Sequence, residues 1–232
     1  MLGIFSRQRL RTTALVSLLT PVLALTMIMH PSHVQAQARN YMIEVVVFEN
    51  MAEAKKAASG ALYYPRINSA VGLTGDKAAS LGFALLEDAL TLDDAAQKIR
   101  ASGKYRLLKH FAWRQPGLDA KNAMAVRINI GSTMTVYLPD DLKPYKKFIP
   151  ASAQPEPSRN RQITTTTISG TLKVRLGRFL HLDTLLVFTD TENRKSYRMS
   201  QSRKMRSKEF HYIDNPRFGL LVRILPLEEA SN

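Results

Sequence analysis

Apolar positions recur along this chain with two different periods, which predict several strands and one clear helix. The run Tyr41–Asn50 is almost continuously apolar at its centre and rich in β-branched residues. That pattern is typical of a strand covered on both faces. Farther along, an apolar stripe at helical spacing predicts an amphipathic helix. Its members are Leu92, Ala95, Ala96 and Ile99.

The ends of this helix are also marked. Thr91, with Asp94 three positions later, resembles a capping box, and Gly103 stands where a helix C-cap is expected. The next segment, Lys104–Gln115, predicts a strand that Pro116 ends. Strand, helix and strand in this order predict a right-handed crossover. Simple alternation would place four side chains of the second strand on one face: Tyr105, Leu107, Phe111 and Trp113.

Strand-like alternation dominates the rest of the chain. Two short strands are predicted within 125–138, on either side of a turn at Gly131 and Ser132. A hairpin is predicted over 168–188, with its turn near Gly177. The remaining segments continue an antiparallel meander: a polar strand over 196–208, a turn over 214–219 and a closing strand over 220–226.

These elements together predict an α+β fold. It has an N-terminal strand-helix-strand unit and a C-terminal antiparallel β meander, joined as one continuous unit. Five prolines between Pro139 and Pro157 indicate an exposed connection. The predicted organisation is a signal peptide (1–38), an N-terminal α/β part (39–138), a proline-rich connection (139–162) and a C-terminal antiparallel β part (163–232).

The first 38 residues have the layout of an export signal. Three arginines precede the apolar stretch 12–29, and small residues then offer cleavage after Ala36 or Ala38. An uncleaved anchor is the alternative. Cleavage predicts a periplasmic protein with no stable membrane insertion, since no second stretch is long enough to span a bilayer. The chain has no cysteine, which excludes disulfides, thiolate metal sites and a lipid-modified cysteine.

Charge narrows the choice of partner. The chain has 33 Lys and Arg against 19 Asp and Glu, a formal net charge of +14. Losing residues 1–38 removes three arginines and no acid, which leaves about +11. The surplus is larger in the C-terminal half. Nucleic acid is not expected outside the cytoplasm, whereas cell-wall peptides and acidic proteins offer negative charge there.

Motifs for catalysis, metals or cofactors are not visible in the sequence. His110, His181 and His211 are not spaced as metal ligands on one helix, and no nucleophile elbow or phosphate-binding glycine loop occurs in the mature chain. No cofactor is therefore expected. A hydrolase using Glu209 or Asp183 stays open as an alternative, although partners for nearby arginines are the commoner role of such carboxylates.

The segment RKMRSKEFHYIDNPRFG (203–219) concentrates the candidate chemistry. Alternation would put Arg206, Lys208, Phe210 and Tyr212 on one face and would pair Glu209 with His211 on the other. His181 and Asp183 form a second acid-histidine pair. The alternative is structural: these pairs fix strand ends, and Asp214, Asn215 and Pro216 only make a turn.

This segment and a preceding one resemble a known family. GTLKVRLGRFLHLD (170–183) and RKMRSKEFHYIDNPRFGLLVRILP (203–226) are similar to the C-terminal signature of the CsiV family of periplasmic peptidoglycan-binding proteins. IEVVVFEN (43–50) and SGKYRLLKHFAWRQPG (102–117) match the family layout. The resemblance implies an accessory factor and not an enzyme. It implies peptidoglycan and an outer-membrane lipoprotein activator of a class A penicillin-binding protein as partners, in cell-wall synthesis and cell shape.

We therefore predict that cations of the C-terminal half bind stem-peptide carboxylates, with aromatic rings adding apolar contact. The predicted peptidoglycan-binding residues are Arg175, Arg178, His181, Arg203, Arg206, Lys208, His211, Tyr212 and Trp113. Two alternatives stay open: a protein-protein adaptor of the envelope without direct wall binding, and the wall hydrolase.

Overall fold

The computed structural model describes residues 39–52, 67, 69–137, 162–190, 192–193 and 195–228. In this part of the chain, nine strands and two short helices follow one another. They are β1 (Asn40–Asn50), α1 (Asp76–Ser80), β2 (Ala84–Leu86), α2 (Asp93–Ala101), β3 (Tyr105–Pro116), β4 (Ala125–Tyr137), β5 (Gln162–Leu176), β6 (Leu180–Asp190), β7 (Lys195–Met205), β8 (Phe210–Asp214) and β9 (Phe218–Pro226).

The strands form two antiparallel sheets. A five-stranded sheet has the order β2-β3-β1-β9-β8, and a four-stranded sheet has the order β4-β5-β6-β7. Strands from before and after the proline-rich connection share both sheets, since β9 pairs with β1 and β5 pairs with β4. Strand β1 is central in its sheet, which agrees with its nearly continuous apolar sequence.

One hydrophobic core lies between the two sheets. Ile43, Val45 and Val47 of β1 face this core, as do Leu172 of β5 and Leu182 of β6. These side chains alternate with outward-facing ones along each strand, which is the pattern of a two-sheet sandwich.

A smaller core covers the outer face of the five-stranded sheet. Val46 and Phe48 of β1 pack there against Ala96 and Ile99 of helix α2 and against Leu92, which precedes the helix. Strand β1 is therefore covered on both faces, as predicted. The predicted helix is confirmed, but its capping box is wrong: the N-cap residue is Leu92, with no side-chain cap hydrogen bond.

The predicted α+β class is wrong, because the described chain is essentially all-β. Helix α2 lies on a sheet face and does not produce a crossover: β1 and β3 are antiparallel neighbours. The order strand, helix, strand suggested parallel strands. The register Ile43 to Trp113 shows instead that the chain returns beside β1 in the opposite direction.

Two bulges account for differences from the predicted strands: a wrong face in β3 and a wrong turn in β4. The β1–β3 register shifts between Val47 and Phe48, so Leu107 packs on the outer core while Phe111 and Trp113 face the sandwich core. In β4, a shift between Ile130 and Thr133 replaces the predicted turn, and the strand continues.

Gly131 permits the second of these bulges. Its φ is 89°, and an added Cβ would lie 2.3 Å from Thr167 Oγ1. Any other residue would be strained in this conformation and would collide with its neighbour.

The predicted hairpin over 168–188 is confirmed by β5 and β6. The polar strand predicted over 196–208 ends early, at Met205. After it the chain passes to the other sheet, where β8 and β9 pair. The predicted single meander is therefore divided between the two sheets.

Two predictions fall largely or wholly outside the described residues. They are the signal peptide (1–38) and most of the proline-rich connection (139–162). In the described part of the chain, no helix is both long and apolar enough to cross a membrane.

Candidate functional site: a cationic cleft at one end of the sandwich

A cleft of about 380 Å³ lies where the β5–β6 and β7–β8 turns meet the start of β1. Apolar side chains from four strands contribute to its wall, because the strands end here and the core reaches the surface. They are Tyr41, Leu176, Leu180 and Met205, with Pro226 beside them.

Three arginines line this cleft. Arg39 comes from the start of β1, Arg178 from the β5–β6 turn and Arg206 from the β7–β8 turn. Glu209 is the carboxylate in the same lining, and its Oε1 lies 3.7 Å from Arg206 Nη1. Because 78% of the Arg206 side chain is exposed, this long contact leaves its guanidinium accessible to a ligand.

The β7–β8 turn is held by backbone hydrogen bonds. Lys208 has a φ of 70°, and its N–H donates to the carbonyl of Ile224 at 2.8 Å. The N–H of Arg206 donates to His211 Nε2 at 3.2 Å. His211 thus helps to fix the backbone position of Arg206 in the cleft. This role differs from the direct contact with peptidoglycan that the sequence predicted for it.

Two cations surround an aromatic ring at the β5–β6 turn. Lys204 Nζ lies 3.3 Å from the centre of the Phe179 ring, and the Arg178 guanidinium lies 5.6 Å from it. His181 Nδ1 is 3.2 Å from the carbonyl oxygen of Phe179. Cation-π attraction keeps these charges beside the cleft without neutralising them.

Arg175 is engaged by a carboxylate on the outer face of the four-stranded sheet. Its Nε donates to Asp183 Oδ2 at 2.9 Å, and Ser202 Oγ donates to Asp183 Oδ1 at 2.6 Å. Burial raises the pKa of Asp183, but the hydrogen bonds from Arg175 and Ser202 outweigh it, and the pKa lies below its usual value of 3.8. This carboxylate is thus held ionised in an ion pair.

The nine predicted binding residues do not share one surface. Arg178 and Arg206 line the cleft, and Arg175 and His181 lie on the adjoining sheet face. Arg203 is exposed on edge strand β7, and Lys208 is exposed in the β7–β8 turn.

The two aromatic residues lie elsewhere. Tyr212 is on the outer face of the five-stranded sheet, where its ring is nearly parallel to that of Phe48. Trp113 is 0% exposed, and its indole N–H donates to Gln115 Oε1 at 2.8 Å. Its place is in the core, so we do not include it in the binding surface.

Sequence reasoning missed Arg39, Lys204 and Phe179. Arg39 lies far from the other cations in sequence and reaches them only through the pairing of β1 with β9. Lys204 and His181 are register partners across β6 and β7, a relationship that the hairpin pattern could have indicated. Among the described residues, no group of three or more His, Cys, Asp or Glu could hold a metal ion.

Comparison with known proteins gives one match. The family model described as "Peptidoglycan-binding protein, CsiV" matches residues 17–227. No curated protein and no solved structure matches the chain. The family match covers nearly the whole sequence and includes every strand of both sheets. The chain therefore belongs to the CsiV family of peptidoglycan-binding proteins.

Proposed function

We propose that this protein is a periplasmic accessory factor that binds the stem peptides of peptidoglycan through the cationic cleft. In this role it supports cell-wall synthesis by a class A penicillin-binding protein, through an outer-membrane lipoprotein activator. The observation that carries the binding proposal is the convergence of Arg39, Arg178 and Arg206 on one cleft.

The cleft matches the chemistry of a stem peptide. Such peptides combine free carboxylates with small apolar side chains, and the cleft combines guanidinium groups with an apolar wall. Guanidinium groups can bind carboxylates through two parallel hydrogen bonds. Lys204 lies over Phe179 of the cleft, Lys208 is in the β7–β8 turn and Arg203 is exposed on β7. These charges would attract the polymer at longer range.

The same residues favour binding over hydrolysis. Asp183, one carboxylate proposed for a hydrolase, is occupied by Arg175 and Ser202, and its pKa is lowered. A general acid needs a raised pKa. Glu209, the other, has Arg206 as a cationic neighbour at 3.7 Å. We expect no soluble fragments when the protein is incubated with purified sacculi.

The binding proposal is tested by co-sedimentation of the mature protein with purified sacculi. We expect Arg178→Gln combined with Arg206→Gln to weaken binding by about tenfold, because two exposed charged contacts worth up to about 1 kcal/mol each are lost. The matched control combines Lys98→Gln with Arg100→Gln, which removes the same charge from exposed positions of helix α2.

The control variant should bind nearly as the wild type does. Equal losses in the two variants would mean that net charge alone attracts the protein to the wall, and the cleft would then have no special role. Unchanged binding of the cleft variant would also contradict the proposal.

The link to an activator needs its own measurement. We expect the cleft variant, tested without peptidoglycan, to retain its affinity for the lipoprotein activator, since the cleft is proposed for the polymer. Loss of activator binding in that variant would favour the alternative of a protein-protein adaptor that uses this surface.

A further inference from the structure

Two aromatic rings are exposed side by side on edge strand β8. Phe210 is 63% exposed and Tyr212 is 45% exposed. Strand alternation places both on the outer face of the five-stranded sheet, with Asp214 next along the same face. The buried Ile213 points the other way, into the sandwich core. The three outward residues, Phe210, Tyr212 and Asp214, are called the β8 platform below.

The Tyr212 ring of the platform packs on a buried aromatic residue. Tyr212 lies nearly parallel to the buried Phe48, with ring centres 6.1 Å apart and an angle of 13° between the planes. Phe48 also packs against Tyr105 in a T-shaped arrangement, with ring centres 5.3 Å apart. Gly219 leaves room for both rings, since an added Cβ would lie 2.6 Å from Phe48 Cζ and 3.3 Å from Tyr212 Cε2.

The exposure of two aromatic side chains on an edge strand is unfavourable and requires an explanation. Apolar side chains beside an open strand edge promote association of sheets, and proteins usually place charge or proline there. Helix α2 covers Val46 and Phe48 on this face, whereas Phe210 lies beyond it and is left to solvent. A ligand that packs against the rings would account for their retention.

We propose that the β8 platform binds pyranose rings of the peptidoglycan glycan strand; this inference rests on the proposed function. Sugar rings present a face of C–H groups with partial positive charge, which suits the negative face of an aromatic ring. Their hydroxyl groups can donate to a carboxylate, and Asp214 provides one beside the rings.

The platform lies next to the cleft. This position supports the binding of one polymer by both surfaces, with its peptides in the cleft and its sugars on the platform. Arg206 of the cleft is in the β7–β8 turn, and Phe210 of the platform is the first residue of β8, directly after that turn. Peptidoglycan carries its acidic peptides on the sugar strand, so a ligand held in the cleft by its peptide brings sugars to the neighbouring strand. The exposed Phe210 ring carries no charge, so it would not attract the carboxylates of the peptides.

The test uses three probes: intact sacculi, glycan strands freed of their peptides, and a soluble β-1,4-linked oligomer of N-acetylglucosamine. Affinities are measured for the mature wild type and for Phe210→Ala combined with Tyr212→Ala. We expect the wild type to bind all three probes. The double variant should bind the two peptide-free probes about tenfold more weakly.

Two further variants make the result specific. Leu85→Ala removes another exposed apolar side chain, on strand β2 at the opposite edge of the same sheet, and should leave glycan binding unchanged. Phe210→Trp keeps an aromatic face and should retain binding. Should the double variant fold poorly, Phe210→Ala alone provides the test, because its largely exposed ring supports little of the core.

The outcomes separate this inference from the proposed function. Wild type that binds intact sacculi but neither peptide-free probe would overturn the platform and leave the cleft proposal standing. Equal binding of peptide-free glycan by the wild type, the double variant and Phe210→Ala would also overturn the platform proposal. The rings would then be available for a protein partner. Wild type that binds no probe would overturn the proposed function itself.

Discussion

His110 Nε2 lies 2.8 Å from Glu44 Oε1, and this pair ties β3 to β1 beneath helix α2. Glu44 is 0% exposed. Its carboxylate also accepts hydrogen bonds from the backbone N–H groups of Thr91 at 2.7 Å and Leu92 at 2.8 Å. A buried charge is tolerated here because the groups around it donate to it. The carboxylate thereby fixes the start of the helix to the sheet.

Removing this charge should destabilise the fold. Glu44→Gln keeps the shape of the side chain but leaves the donors of Thr91, Leu92 and His110 poorly matched. We expect a loss of about 3–5 kcal/mol in the free energy of unfolding, the usual cost of breaking a buried charged network. Urea unfolding measures it, with an unchanged m value as the check on two-state behaviour.

Glu209→Gln is the matched control for Glu44→Gln, because Glu209 makes only a 3.7 Å contact with an exposed arginine. Its unfolding free energy should stay within about 0.5 kcal/mol of the wild type. Equal stability of the two variants would contradict the structural role of Glu44.

Acid should remove the contribution of Glu44. Burial raises the pKa of this group, but its hydrogen bonds with Thr91, Leu92 and His110 outweigh burial, and the pKa lies below the usual 4.5. A lowered folded-state pKa means that the unfolded chain binds the proton more tightly, so stability falls as pH falls.

The pH window for that effect follows from the sign of the shift. The stability difference between wild type and Glu44→Gln should be constant above about pH 5 and should shrink as pH falls below about 4.5. Urea midpoints of both proteins at several pH values between 7 and 3 measure it. A stability difference that grows as pH falls would mean that folding raises the pKa of Glu44, so that the folded protein holds it as a neutral carboxylic acid.

Arg175 should matter less for wall binding than the arginines of the cleft. Asp183 already neutralises its charge at 2.9 Å, and Ser202 holds that carboxylate in place. We expect Arg175→Gln to reduce sacculus binding by less than half, whereas Arg178→Gln should reduce it severalfold. Co-sedimentation of the two single variants compares them directly, and a larger loss for Arg175→Gln would place the binding surface on the sheet face.

The elements that local sequence determines were predictable. Alternation in 168–188 gave the β5–β6 hairpin, and the stripe of Leu92, Ala96 and Ile99 gave helix α2. The fold class was not predictable in the same way. It depends on β9 lying beside β1, a pairing such as Ile43 with Ile224 that has no local signal. The order strand, helix, strand around α2 therefore predicted a right-handed crossover, whereas β1 and β3 are antiparallel.

The candidate site shows the same limit at the level of single residues. Alternation across 203–213 assumed one unbroken strand, but the positive φ of Lys208 turns the chain after Met205. Arg206 therefore lies in the cleft while Tyr212 lies on a different sheet. The bulge in β3 places Trp113 and Phe111 on the sandwich core, on the face opposite to Tyr105 and Leu107. Bulges and turns of this kind depend on contacts between strands that are distant in sequence.

Gly219 should be sensitive to the smallest possible side chain. An added Cβ would meet the Phe48 ring at 2.6 Å, and that ring is packed between Tyr105 and Tyr212. We expect Gly219→Ala to lower the free energy of unfolding by about 1–3 kcal/mol, the usual cost of overpacking. Gly103→Ala is the control, because no atom lies within 4 Å of its added Cβ, and its stability should change little. Thermal unfolding compares both with the wild type. Binding of peptide-free glycan by Gly219→Ala then reports on the displaced Tyr212 ring, and full stability of this variant would show that Phe48 can move without cost.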